Sequence, residues 1–538
     1  MSDHSVGSAK SFLKDGAMVR LDLEGTPVVL ARVNGQYYAF GGTCTHYGAP
    51  LHEGVLRDHE LICPWHHACF DIRSGARLEP PALNALPHYP VRTEGGKVIV
   101  TLPHDNDTEP QGRAEDDSEL SIVIVGGGAA GNAAAEELRR EAYPGKITLI
   151  SNVPEVPVDR PNVSKDYLAG HADPAWMPLR GDESWYATRN ISLRLNSHVE
   201  KVDPRSHRVA LRGGESIRYD KLLLAMGAIP RHLNVAGSDL KNIYLLRRQP
   251  DADRIMSALK EKGKRVVVVG ASFIGMEVAA SLAEGQNANV TVVGIEKVPF
   301  DRILGEQIGL MFQHLHEVHG VQFRLNSEVK QFTGKDGQVS GVELHNGETL
   351  PADVVVVGIG VRPSTDALAD SGLKLDPKDL SVRVNSALQS SDADVYAAGD
   401  IARWDDGSST GVRIEHWRVA EQHGIIAAHN MLGQQDDVAR HVPFFWTAQW
   451  GRELRYVGHA EQWDSIIYRG DLPDSPLEKE NFQFVACYVQ SGKLKAAAGC
   501  NADSDMDALE FILRDGKPLS EAQMRDDKFD LVAYARGE

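Results

Sequence analysis

Two stretches of this chain share one pattern: a run of β-branched residues, a glycine turn, then a helix-forming segment. The first is SIVIVGGGAAG followed by NAAAEELRREAY, and the second is RVVVVGASFIG followed by MEVAASLAEG. Such a turn lets the backbone approach closely and aims a helix N-terminus at whatever sits above it. A second strand closes each unit, over 147–150 and over 290–293. Two βαβ units of this kind are an internal duplication of nucleotide-binding architecture. They call for parallel, doubly wound sheets with crossover helices. No other feature narrows the fold as much.

Gly126, Gly128, Ala129, Ala130 and Gly131 make up the first fingerprint, G-x-G-x-x-G. An acid for the adenosine ribose is expected at the end of the second strand, but Asn152 stands there and Glu155 comes slightly later. Far downstream, VYAA runs into Gly399-Asp400, which resembles the flavoprotein motif whose Asp bonds the ribitol. Read alone, it is a strand-end turn. Read with the upstream fingerprint, it points to FAD. The second fingerprint is Gly270, Ser272, Phe273, Ile274 and Gly275, with Ser272 in the middle glycine's place. Glu296 follows the next strand and is the candidate for a ribose diol. A carboxylate there repels a 2′-phosphate, which favours NADH over NADPH, although Lys297 and Arg302 keep NADPH open. VVVVGIGVRP, with Gly358 and Gly360, closes this region.

Ahead of the duplication, residues 11–103 read as small and all-β, with hairpin signals at Asn34-Gly35 and Gly95-Gly96. Cys44-Thr45-His46 is followed, after sixteen intervening residues, by Cys63-Pro64-Trp65-His66. Each loop offers one cysteine and one histidine. A Rieske [2Fe–2S] centre needs two thiolates on one iron and two imidazoles on the other, so Cys44, His46, Cys63 and His66 meet its demand. Zinc is the alternative, but zinc-finger sites usually group Cys with Cys and His with His. These residues and their flanks resemble the Rieske family. The cysteines that bridge the ligand loops in its high-potential members are replaced here by Ala49 and Trp65, and the serine that bonds the cluster by Ala68. Fewer hydrogen bonds to the cluster imply a low potential. Family members often carry glycine where this chain has His67, and its role is open. Cys69 reads as a packed thiol.

The remaining boundaries follow texture. Residues 104–119 are acidic and nearly free of apolar side chains, which reads as a linker. Residues 120–249 form the first part of an FAD-binding domain, 250–372 an NAD-binding domain, and 373–440 the second part of the FAD domain. Residues 441–538 form an α+β C-terminal module, with strands over 482–489 and 493–499 and a helix near 505–514. The fold class is therefore multidomain: an all-β Rieske domain, an α/β reductase binding two dinucleotides, and an α+β C-terminal domain.

Acidic residues outnumber basic ones by 75 to 57, a formal charge of −18, which disfavours nucleic acid and suits a basic protein partner or simple solubility. No apolar run approaches the ~20 residues of a membrane span, and the N-terminus lacks a signal's apolar core. Five cysteines, with no such signal, suggest a cytoplasmic protein.

The segment 159–168, DRPNVSKDYL, together with the two fingerprints, Gly399-Asp400 and Glu415-His416-Trp417, resembles the apoptosis-inducing-factor-like and oxygenase-coupled ferredoxin reductases. With the N-terminal module, the chain resembles the Rieske-containing branch of that family. The resemblance implies an FAD domain interrupted by an NAD domain, then a C-terminal interface domain. It implies that Lys165 pairs with Glu277 near the flavin as the catalytic pair, and that Arg160, Gly227, Glu415 and His416 contact cofactor. Trp417 and Trp446 are candidates to pack on the flavin or simply to fill core. No cysteine lies between Cys69 and Cys487, so a flavin here has no redox disulfide to reduce. The expected function is to pass electrons from NADH through FAD to the Rieske cluster and on to an external acceptor such as an oxygenase or cytochrome, as monomer or homodimer. Two other readings stand beside it: an NADH-responsive redox sensor, and flow in reverse from cluster to NAD⁺.

Overall fold

The computed structural model describes residues 1–8, 13–103, 120–408, 410–473 and 482–538. The expected linker, 104–119, lies outside the described residues.

The N-terminal unit is built from short antiparallel strands. Thr26–Val33 and Gln36–Gly41 pair around Asn34-Gly35, both at positive φ, as a two-residue hairpin turn requires. Met18–Leu23 and His88–Tyr89 flank this pair in one four-stranded sheet. A second four-stranded sheet runs Val55–Arg57, Glu60–Ile62, Cys69–Asp71 and Arg77–Glu79. The hairpin of Val91–Glu94 and Lys97–Leu102 gains a third strand, Ser2–Ser8. The unit therefore starts before residue 11. Ser2–Ser8 is mostly polar and carries no strand signal; pairing with Lys97–Leu102 is what orders it.

Both dinucleotide units are five-stranded parallel sheets. In the first, the order is Ile191–Arg194, Lys146–Ile150, Ser121–Val125, Lys221–Leu224, Val395–Ala397. Its last strand arrives after the whole second unit, so one sheet is completed around the other. The second sheet runs Ile243–Leu245, Val354–Val357, Arg265–Val269, Asn289–Val293, Gln322–Arg324. Because Ile243–Leu245 belongs to it, that unit begins ahead of residue 250. Helix α1 (Ala129–Arg140) follows the first glycine turn and α2 (Phe273–Gly285) the second. Helix α3 (Trp417–Met431) packs along α1.

The C-terminal unit is a five-stranded antiparallel sheet, in the order Phe444–Gln449, Arg452–Gly458, Lys493–Cys500, Phe484–Gln490, Ser465–Gly470. Three of these strands were not expected from the sequence. Helix α4 (Asp503–Arg514) lies against the sheet. Val55, Ile62 and Cys69 of the N-terminal unit share one continuous apolar core with Phe444, Val485 and Phe511. No described helix is long and apolar enough to cross a membrane.

The two glycine turns are near copies. Gly126 and Gly270 sit at φ of 120° and 117°. A Cβ on Gly131 would lie 1.8 Å from the Gly126 carbonyl oxygen, and one on Gly275 would lie 2.0 Å from that of Gly270. The middle positions differ in demand. Gly128 and Ser272 both have extended backbone, at φ of −93° and −99°, which any residue adopts. Ser272 therefore costs the second turn nothing in backbone terms. Gly131→Ala must push backbone from backbone in a packed turn, so purified protein is expected to carry no flavin. Flavin absorbance against the 280 nm band checks this.

Candidate functional site

A cavity of about 920 Å³ opens at the carboxyl ends of the first parallel sheet. Gly126, Gly128, Asn152, Arg160 and Arg247 line it, and Glu155 does not. A second cavity of about 390 Å³ shares Gly128, Arg160 and Arg247 with the first, so the two form one cleft. Its wall holds Ala129, Ala130, Lys165, Gly227, Ser272, Phe273, Ile274 and Glu277. It also holds Gly360, Gly399, Asp400, Glu415, His416, Trp417 and Trp446. Residues expected from two distant motifs thus meet on one wall. Gly131, Gly270 and Gly275 line neither cavity and instead let the turns close. Glu296 also lies outside both.

The residues fit two dinucleotides. Neither α1 nor α2 has a side chain capping its first turn, so backbone N–H groups stay free there for phosphate. Arg160 and Arg247 bring positive charge, and burial, then Arg247, lowers Arg160 to about 10. Arg247 Nη2 donates to Asp400 Oδ2 at 3.2 Å. Arg247 was not anticipated, since no motif marks it. At the second turn, Glu296 Oε2 is buried without a partner, an acceptor suited to a hydroxyl. Lys297 is tied to Glu306 at 2.5 Å.

Lys165 Nζ lies 2.9 Å from Glu277 Oε2. Ser164 donates to the same oxygen at 2.5 Å, and Thr447 donates to Oε1 at 2.7 Å. Glu277 is therefore held by three groups from two segments, 164–165 and the strand that carries Thr447. Ser164 lies within the segment 159–168 with no role assigned to it there, and Thr447 carries no sequence signal.

The two ligand loops of the N-terminal unit fold alike. Cys44 N donates to Ala49 O at 2.9 Å, and Cys63 N to Ala68 O at 2.8 Å. Gly48 N donates to Cys44 O at 3.0 Å, and His67 N to Cys63 O at 3.1 Å. Gly48 and His67 are equivalent and both left-handed, at φ of 78° and 57°. This explains why glycine suits the position of His67. Across the loops the Cys44 and Cys63 thiols each shift the other's ionisation, and the His46 and His66 Nδ1 atoms lie 3.1 Å apart. Thiol meets thiol and imidazole meets imidazole, as two irons with unlike ligand pairs require. Burial pushes His46 down to about 3 and lowers His66 as well, which keeps both rings neutral and ready to bind metal. Cys69 lies in the shared core, its thiol raised by burial.

One strand links the centres. Along Phe444–Gln449 side chains alternate between faces. Phe444 stacks on His67 at 4.1 Å, and Trp446 packs on His66 at 4.3 Å. Between them Phe445 stacks on His416 at 4.3 Å, and Thr447 holds Glu277. Trp446 lines the cleft and touches His66 at once.

His67 has a definite place. Fully buried, its Nδ1 lies 2.5 Å from Glu510 Oε2 and its Nε2 3.2 Å from Asp507 Oδ1. Arg418, fully buried on α3, pairs with Glu510 at 2.7 Å and donates to Pro80 O at 2.8 Å. A second network joins Glu79 to His441 at 2.5 Å, His441 and His429 to Asp436, and His429 to Glu137, which also pairs with Arg77. Burial alone would lower His441, but Glu79 and Asp436 outweigh it and push it up to about 10; His429 rises likewise to about 9. Burial would raise Glu79, but His441 and Arg418 bring it down to about 2. The raised histidines stabilise the docked state fully below about pH 6.5 and lose this as pH passes 9 to 10. The lowered Glu79 contributes above about pH 4.5 and fades as pH falls toward 2. Docking of the N-terminal unit is expected to be tightest near pH 5–6.5 and to loosen steadily toward pH 10, read as amide exchange of 77–79 against pH-matched reference amides.

Comparison with known proteins gives three matches to family models. Residues 120–424 match the pyridine nucleotide-disulphide oxidoreductase model, 4–90 the Rieske [2Fe-2S] domain, and 444–535 the reductase C-terminal model. The Rieske match also starts ahead of residue 11. Human apoptosis-inducing factor 3 is 35% identical over 524 residues, covering 95% of this chain and 84% of that protein. Rhodocoxin reductase of Rhodococcus erythropolis is 34% identical, over 78% of this chain and 95% of the relative. Among solved structures, the covalent putidaredoxin reductase–putidaredoxin complex aligns with a TM-score of 0.72 at 31% identity, over 78% of this chain and 100% of that one.

Proposed function

The chain belongs to the pyridine nucleotide-disulphide oxidoreductase family, as a flavoprotein NAD(P)H reductase with its own Rieske domain, and from that premise we propose that it carries electrons from NADH, by way of FAD, to its own Rieske centre and on to an external one-electron acceptor. Bound, the flavin supplies hydride acceptance and one-electron release, and the cluster supplies a one-electron relay.

The chain's own residues would do the rest. Gly126, Gly128 and the open first turn of α1 would hold the FAD pyrophosphate with Arg160, and Asp400 would take the ribitol. Gly270, Ser272 and the first turn of α2 would hold the nicotinamide nucleotide, with Glu296 on its ribose. Lys165, fixed by Glu277, would face charge that builds on the flavin ring. Cys44 and Cys63 would bind one iron, and His46 and His66 the other.

The observation that carries this reading is the place of Trp446, one side on the cleft and the other on His66. Rapid mixing with NADH under anaerobic conditions tests it. In Trp446→Ala, reduction of the cluster is expected to fall behind reduction of the flavin, and Trp446→Phe to close most of that lag. Equal effects on both phases would remove Trp446 from the path. A long-lived reduced flavin–NAD complex with an oxidised cluster in the unmodified protein would favour the sensor reading.

A further inference from the structure

The two ligand loops differ in what they show to solvent. In the second, no residue from Leu61 to Ile72 is exposed, and His66 is covered by Trp446 and by the C-terminal unit. The first presents Thr43, Tyr47 and Gly48. Tyr47 is 43% exposed, and its ring lies flat on the His46 ring at 3.9 Å, with 13° between the planes. Both rings neighbour Trp446, His66 at 4.3 Å and His46 at 5.9 Å, but only His46 lies flat beneath the half-exposed Tyr47, whose hydroxyl donates to Asp159. The N-terminal unit is also locked in place. His67, Glu510 and Arg418 are buried between units, and the units share a core. Uncovering His66 would break that interface. Among the described residues, the face over His46 is the one already open.

Carboxylates gather around this face. Glu53 and Asp166 are exposed. Glu453 and Asp503 share the single guanidinium of Arg455, which also donates to Trp65 O at 2.8 Å, so this trio keeps a net negative charge. Asp166 acts on Tyr47 through space, and Glu53 acts on Asp503.

We propose that the Tyr47 face is the docking surface for the external acceptor, a one-electron carrier protein with a basic contact patch, and that it is used while the Rieske domain stays docked on the reductase. The inference rests on the electron path proposed above. Acidic residues around an exposed aromatic steer a basic partner and make its binding sensitive to salt. On docking, the acceptor's metal gains the one electron that the centre gives up.

Ferric cytochrome c, a basic haem protein, is the probe. Oxidised holoprotein is titrated with it by calorimetry without NADH, so the readout is binding and not turnover. A saturable complex at low salt is expected, weakening as salt rises. Glu53→Gln with Asp166→Asn is expected to weaken it about tenfold or more. Tyr47→Ala is expected to weaken it, and Tyr47→Phe to restore it. The carboxylate double variant should still show NADH-driven reduction of its own cluster by EPR. No binding at low salt, or binding indifferent to these substitutions, overturns the docking surface. Failure of NADH to reduce the cluster in unmodified protein overturns the electron path instead, so the two failures are told apart.

Discussion

Lys165→Met is expected to slow reduction of the flavin by NADH about 10²–10³-fold, the usual cost of removing one preorganised group that faces developing charge. The side chain keeps its length and loses its charge. Lys165 is 15% exposed and lies 2.9 Å from Glu277, so its ammonium has one defined position. Glu277→Gln separates charge from placement. Ser164 and Thr447 can still bond the amide, and the Lys165 ammonium remains, now without its ionic partner. A smaller loss is expected there, about tenfold. A fall in the first-phase rate with unchanged flavin content reads out both variants. If Lys165→Met reduces its flavin at the unmodified rate, the pair is structural only.

The second large effect is on the joint between the Rieske domain and the reductase. Glu510→Leu leaves the Arg418 guanidinium, which is fully buried, without its close carboxylate; Glu79 is 4.0 Å away. Removing one partner of a buried pair costs about 3–5 kcal/mol. For a unit of roughly 200 residues that lowers the unfolding midpoint by about 6–20 °C. His67 also loses the partner on its Nδ1. The double variant Arg418→Met, Glu510→Leu removes both charges and is expected to recover most of the loss, since apolar replacement of a whole buried pair is often near neutral. Thermal unfolding followed by cluster absorbance checks both. A double variant no more stable than the single one would mean that Arg418 matters for its bonds to Pro80 and Val442 and not for its charge.

What could be read in advance was what local chemistry dictates. The turn at Asn34-Gly35, both glycine fingerprints and the two Cys/His loops declare themselves within a few residues. Their meeting on one cleft follows from parallel sheets that bind at their carboxyl ends. The hidden parts depend on distant partners. His67 bonds Glu510 and Arg418 bonds Pro80, hundreds of residues apart, and no spacing rule predicts such pairs. Thr447 and Ser164 look ordinary until Glu277 lies between them. The strand Phe444–Gln449 was missed because both of its faces are buried by different units, which removes the apolar–polar alternation that marks a half-exposed strand. Asn152 lines the larger cavity without being an acid, so the expected carboxylate signal was absent there.

The Rieske domain emerges as a fitted part of the reductase. Its buried ion pairs and shared core hold His66 against Trp446. The central claim is that electrons entering at the nicotinamide site reach this cluster inside one chain. An anaerobic titration of the holoprotein with NADH tests it most directly, with flavin absorbance and the EPR signal of the reduced cluster followed together. The account predicts that the Rieske signal grows as the flavin is reduced, at a rate independent of protein concentration. A fully reduced flavin beside a cluster that stays oxidised would contradict it.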